Sequence, residues 1–178
     1  SKVVSMRRIL LIIAGLLTLA GCTTLHQGTR EAVPQAETWA VVPFVNNTDT
    51  PFAAERAEAI TTALLYARGV QRVITMPLDP AADSEALPDR GLKRREAGLE
   101  WAKKQGVRYA VVGTVTEWRY KVGLDGEPVA GMTLQLIDLN DGKVLWSGSA
   151  GKSGWSREAV SAVAQQVLEQ LISTITLR

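Results

Sequence analysis

The chain has 178 residues, 20 basic and 18 acidic side chains, a formal net charge of +2 and 46% hydrophobic residues. That length suits one domain, and charge this evenly balanced lacks the basic stripe that a nucleic-acid partner requires. A single cysteine and a single histidine exclude an intramolecular disulfide and a cysteine-rich metal site, so neither a metal nor another cofactor is expected.

Residues 1–5 precede Met6, the expected start. Met6-Arg7-Arg8 leads into an apolar run from Ile9 to Ala20, shorter than the roughly 20 residues that span a bilayer. A basic start, a short apolar core and a small-residue exit predict a signal peptide over residues 1–21. Its end departs from the ordinary pattern, because Leu19 stands where a small residue is usual. Leu19-Ala20-Gly21-Cys22 resembles the bacterial lipobox, in which the cysteine sulfur takes a diacylglycerol as a thioether. Cys22 is therefore the expected lipid-attachment residue; the alternatives are an ordinary signal peptide with a chance cysteine, or a buried helix. Loss of Lys2, Arg7 and Arg8 would leave acidic side chains in slight excess. Several acyl chains hold a protein firmly to a membrane. Thr23 stands where an aspartate would favour inner-membrane retention, so the outer membrane is expected, on its periplasmic face. Residues 22–37, polar and interrupted by Gly28 and Pro34, read as a flexible lipidated tether, and residues 38–178 as a single periplasmic domain.

Within that domain, Trp39 to Val45 reads as a buried strand with Pro43 at an edge or bulge. Thr50 and Pro51 read as cap and first position of a helix, with Ala57, Ile60, Leu64 and Ala67 at helical spacing and Gly69 as its stop. Gln71 to Thr75 reads as a short strand, and the proline-rich, acidic stretch from Met76 to Gly91 as a surface loop. Leu92 to Gln105 is helical in pattern, ended by Gly106. Val107 to Lys121, Ala130 to Leu139 and Lys143 to Ser149 form an antiparallel meander. Its turns are the Gly123 to Val129 loop and Asn140-Asp141-Gly142. Val160, Val163, Ala164, Val167, Leu168, Leu171, Ile172 and Ile175 make the stripe of a last helix, with Ser156 as N-cap and Glu158 in its first turn. The order β-α-β-α-β-β-β-α predicts an α/β (α+β) domain, a mixed sheet flanked by about three helices.

Catalytic groups are scarce. His26 lies on the tether, where a general base would lack held geometry. Gly151-Lys152-Ser153 imitates the end of a phosphate-binding loop, but Trp146 occupies the position of its first glycine. A carboxylate pair acting on a glycan stays open; the expectation is no enzyme and no catalytic residue.

Three stretches carry a resemblance: "WAVVPFVNNTDTPFAAERAEAITTALLYARGV", "GVRYAVVGTVTEWRYKVGLDGEPVAGMTLQLIDLNDGKVLWSGSA" and "GWSREAVSAVAQQVLEQL". Together they resemble the PelC family, small lipoproteins of the Pel exopolysaccharide secretion system. More distantly the pattern is similar to TolB amino-terminal, curli-pore and LpoB-like periplasmic folds. The PelC resemblance implies a homo-oligomeric ring of about a dozen subunits, closed by heterologous contacts. It also implies a place beneath the β-barrel exporter PelB and an electronegative interior that guides a cationic polysaccharide without catalysis. The alternative is an LpoB-like regulator of a peptidoglycan synthase, monomeric and commonly on a longer tether.

Given that resemblance, Asp125, Asp138 and Asp141, with Glu127 beside them, are the candidate acids of the lumen. Asp141 is also good turn chemistry, whereas Asp138 continues the apolar face of Met132, Leu134 and Leu136. Trp155 suits a membrane interface or a staple of the last helix, and the resemblance favours the membrane. Trp39, Trp101, Trp118 and Trp146 are expected in the core or between subunits, and Glu117, Arg119 and Lys121 on a solvated face or an intersubunit seam.

Overall fold

The computed structural model describes residues 24–28, 31–77 and 90–178. The expected signal peptide, Cys22 and most of the proline-rich loop lie outside them. A mixed sheet runs in the order β1-β7-β6-β5-β2-β4, with a two-residue β3 alongside β5. Strand β2 (Thr38–Val41) is central and apolar on both sides, because parallel partners flank it and helices cover both faces. It pairs with β4 (Arg72–Thr75) and with β5 (Tyr109–Tyr120). Pro43 falls where β2 stops and β3 (Val45–Asn46) starts, consistent with the ladder donor that proline lacks.

Helices α1 (Ala53–Ala67) and α3 (Val160–Ile172) cover one face of the sheet. Trp39, Val41, Val111, Val115, Met132, Leu134, Leu136, Trp146 and the apolar stripe of α3 form the larger core there. Helix α2 (Arg90–Lys104) covers the other face over β2 and the start of β5, where Ala102 meets Ala40, Val42, Ala110 and Val112. Gly98 permits this approach, since a Cβ there would lie 2.5 Å from Cδ of Pro43. Trp39, Trp118 and Trp146 are buried and Trp101 half-buried against the smaller core. The indole N–H groups of Trp39 and Trp146 donate to the Pro34 carbonyl and to Thr174 Oγ1, both at 3.0 Å.

The meander follows expectation. β5, β6 (Pro128–Asp138) and β7 (Val144–Ser153) pair antiparallel, with a bulge between Val115 and Glu117. The expected order of elements is therefore present, with two additions. One is β3. The other is β1 (Thr24–Gly28), antiparallel to β7 at the sheet edge. Val33 is also buried, and its N–H and that of Gln35 donate to the carbonyls of Thr176 and Arg178 at 2.9 and 3.1 Å. This corrects the reading of 22–37 as a free tether: unpaired backbone at the β7 edge and at the C-terminus captures parts of it, a gain that composition alone does not reveal.

Both expected caps differ. Phe52, not Thr50, occupies the cap of α1, in the left-handed region at φ 60°. Thr50 Oγ1 instead donates to the carbonyl of Trp118. At α3 the cap is Ala159, without a side-chain bond. Glu158 accepts the Trp155 N–H at 2.8 Å, closing the turn before the helix. At α1 a contact outside the helix, with β5, takes the expected capping hydroxyl.

Candidate functional site

The meander gives the domain two distinct ends. β5 and β7 run towards the loop that follows Tyr120 and towards Gly154; β6 returns to the Asn140–Gly142 turn. At roughly 3.3 Å per residue, the twelve-residue β5 separates the ends by about 36 Å.

Trp155 stands at the first end, directly after β7, and is 66% exposed. Its segment is held on both sides: Gly154 N–H donates to the Pro128 carbonyl at 2.8 Å, and the Trp155 N–H to Glu158. A ring this open is not the buried staple that sequence left as an alternative. The register of β1 bears on the same end. Thr24, two residues after Cys22 in the chain, is opposite Gly151 near the end of β7, while Gly28 is opposite Ser147 further back. Thr24 and the exposed indole therefore belong to one end of the sheet.

The three candidate aspartates do not converge. Asp125 is exposed in the β5–β6 loop, at the Trp155 end. Asp141 is exposed in the turn at the opposite end, where its Oδ1 accepts the Lys143 N–H at 2.9 Å. Asp138 is 4% exposed. Its Oδ2 accepts from Nε and Nη2 of Arg108 at 3.0 and 2.9 Å, and its Oδ1 from the Asn140 N–H at 3.0 Å. The Arg108 guanidinium holds this carboxyl below the usual carboxylate range against the opposing effect of burial, with the Asn140 N–H helping. Arg108 also lies 5.2 Å over the Tyr109 ring. Asp138 is thus a buried, neutralised strut between β5 and β6. This corrects its assignment to a lumen, because a charge compensated at 2.9 Å and closed to solvent attracts no polymer.

Glu127 pairs with Lys121 at 3.1 Å, and Glu117 with Arg119 at 3.9 Å. Glu117, Arg119 and Lys121, with Thr116, Ser149 and Gly151, border an open groove of about 460 Å³ on the sheet face that α2 leaves bare. Lys152, also on its border, donates to the neutral side chain of Gln166 on α3. Among the described residues, no cluster of three or more His, Cys, Asp or Glu side chains could hold a metal, and no helix is long and apolar enough to cross a membrane.

Sequence reasoning missed Arg108 as the partner of Asp138; the register Tyr109↔Asp138 places it, and no spacing in the chain does. It also missed a set of exposed apolar side chains at the Trp155 end: Phe52, Tyr120, Val122 and Leu124. Their signal was present as Val122 and Leu124 inside a glycine-containing turn, where apolar residues have no core to enter.

No family model and no curated protein sequence matches the chain. Solved structures do. The PelC dodecamer from Paraburkholderia phytofirmans is 36% identical, with a TM-score of 0.74 over 88% of this chain and 99% of that one. A methionine-substituted PelC dodecamer from the same organism gives the same identity and TM-score over 88% of this chain and 100% of that one. The LpoB C-terminal domain from Salmonella enterica, 17% identical over 70% of this chain and 88% of its own with a TM-score of 0.51, shares the fold alone. Identity at this level over nearly the full length of the solved chains shows that the chain belongs to the PelC family.

Proposed function

We propose that this chain is a lipoprotein of the periplasmic face of the outer membrane, anchored through Cys22. In this reading, copies assemble into a ring that guides a cationic exopolysaccharide to a PelB-type β-barrel exporter without catalysing a reaction. The observation that carries the reading is the near-complete match to chains solved as dodecamers. The layout of the domain supports it, because Thr24, two residues after Cys22 in the chain, and Trp155 share one end, which leaves the other end free to be directed away from the membrane.

The physics of guidance follows from repetition. A ring presents each acidic side chain once per subunit, and a charged passage with low-dielectric walls focuses the field. Exposed contacts are individually weak and screened within about 8 Å at physiological salt, so a polymer is attracted without being trapped. With Asp138 removed from the set, Asp125 and Asp141 are the acids proposed to face polymer, one near each mouth rather than in one belt.

The test is export of polymer in cells carrying Asp125→Asn and Asp141→Asn together, with ring assembly checked by light scattering on the purified lipoprotein. Reduced export with an intact ring is expected. Undiminished export with an intact ring would overturn the assignment of these acids, and a strictly monomeric lipoprotein would overturn the ring.

A further inference from the structure

The turn joining β5 and β6 is built to project. Lys121 N–H donates to the Glu127 carbonyl at 2.7 Å, and the side chains of the same two residues pair at 3.1 Å, so the loop is clamped at its neck. Beyond the neck the backbone turns through Gly123 at φ 144° and Gly126 at φ 50°, values that a residue with a Cβ seldom adopts. Val122 and Leu124 stand at the tip with 102% and 108% of their reference surface exposed. A turn normally carries polar residues, and two apolar side chains left wholly in water gain nothing for the isolated domain.

Other apolar side chains crowd the same end. Trp155 is 66%, Phe52 67% and Tyr120 54% exposed. Phe52 is the one described non-glycine residue with positive φ, a conformation that residues with a Cβ seldom adopt, and it is kept although its ring enters no core. Among the described residues, the opposite end presents only Val144 at the edge of exposure, and Tyr66, whose hydroxyl is bonded to β4.

We infer that the β5–β6 turn is a second membrane-contacting element, which dips Val122 and Leu124 into the interfacial layer of the bilayer that holds the lipid anchor. Lipid is the occupant because of where the chain outside the described residues meets the fold: Thr24 opposite Gly151 brings the segment behind Cys22 to this end of the sheet. The Lys121–Glu127 ion pair at the neck keeps the dip shallow, at the level of the headgroups. The consequence is orientation. Acyl chains on a linker hold a domain near a membrane but leave its tilt free, whereas an anchor, an indole and an apolar turn define a plane. That plane sets the axis of β5 across the membrane surface, so that successive copies meet at one height. The inference rests on the anchored reading given above.

The experiment uses the full mature lipoprotein in vesicles of phosphatidylethanolamine and phosphatidylglycerol. Cys22, the only cysteine, is occupied by the anchor, so Leu124→Cys, Trp155→Cys and Asp141→Cys each offer one site for an environment-sensitive fluorophore. Lipids carrying a spin label report contact by quenching. Blue-shifted, quenched emission at positions 124 and 155, and neither effect at 141, is the expected result. A blue shift at 124 without lipid quenching would mean that a second copy covers the turn, and would overturn the inference. Quenching at 155 with a water-like signal at 124 would also overturn it while leaving the anchored reading intact. Quenching at 141 alone would overturn both. Light scattering on the same samples reads the ring independently.

Discussion

Gly154 holds the exposed Trp155 in place, and a single methyl group tests this. In Gly154→Ala the new Cβ would lie 2.5 Å from Cγ2 of Val163 and 3.1 Å from Cγ of Pro128, and would press on the Glu158 carboxylate. Carbon atoms pack at about 3.5–4.0 Å, so roughly 1 Å of movement is needed. Glu158 can swing away, although that releases the Trp155 N–H. Val163 cannot, being fully buried in the stripe of α3. Overpacking of this kind costs about 1–3 kcal/mol. With a urea m-value near 2 kcal/mol/M, the denaturation midpoint falls by roughly 1 M. The control lies three residues earlier. A Cβ on Gly151 would meet only the Ala130 carbonyl at 3.6 Å and Cα of Gly131 at 3.9 Å, ordinary contacts. Gly151→Ala is therefore neutral, or stabilising by about 0.5–1 kcal/mol, since glycine weakens a strand interior. Both variants are compared with the parent at one protein concentration, because assembly adds to apparent stability. Equal midpoints for the two variants would refute the claim that Gly154 is packed against α3.

Two further predictions follow from the anchor and from the buried ion pair. Cys22→Ser removes the sulfur that a thioether requires, so intact-mass measurement and membrane fractionation should find an unprocessed, unacylated precursor; a normally processed, membrane-bound product would remove the lipobox reading. Asp138 has its carboxyl lowered by Arg108. Its folded-state value therefore lies below that of the unfolded chain, about 3.9. The stabilisation is present above that value and is lost as pH falls through the folded one. Denaturation midpoints should decline below about pH 4 in the parent and follow a flatter acid profile in Asp138→Asn, which is already weakened at neutral pH. Parallel acid profiles would show that the pair carries no such linkage.

Much of this domain was legible without coordinates. The apolar stripe of α3, the alternation along β6 and the glycine-marked turns are local patterns with one good solution each, and they are where the chain folds as expected. The lipobox-like exit and the shortage of catalytic groups are likewise matters of residue type and spacing. Asp138 shows how far such reading extends. Its parity with Met132, Leu134 and Leu136 was read correctly, and that parity places it on the core side of the sheet. Whether an acid there is free or paired depends on Arg108, thirty residues earlier and adjacent only through strand register.

The same division holds for the rest. Sequence by itself determined the order of the main elements and the face that each strand and helix buries, because these depend on neighbours a few residues away and on side-chain periodicity. Only the tertiary structure decided that Thr50 serves β5 rather than α1, that β1 and Val33 join the fold, that Arg108 pairs with Asp138, and that Phe52, Val122, Leu124 and Trp155 share one end. Each of these is a pairing between distant parts of the chain. Competition for unpaired backbone and polar groups settles it when the chain closes, and no local pattern records the outcome.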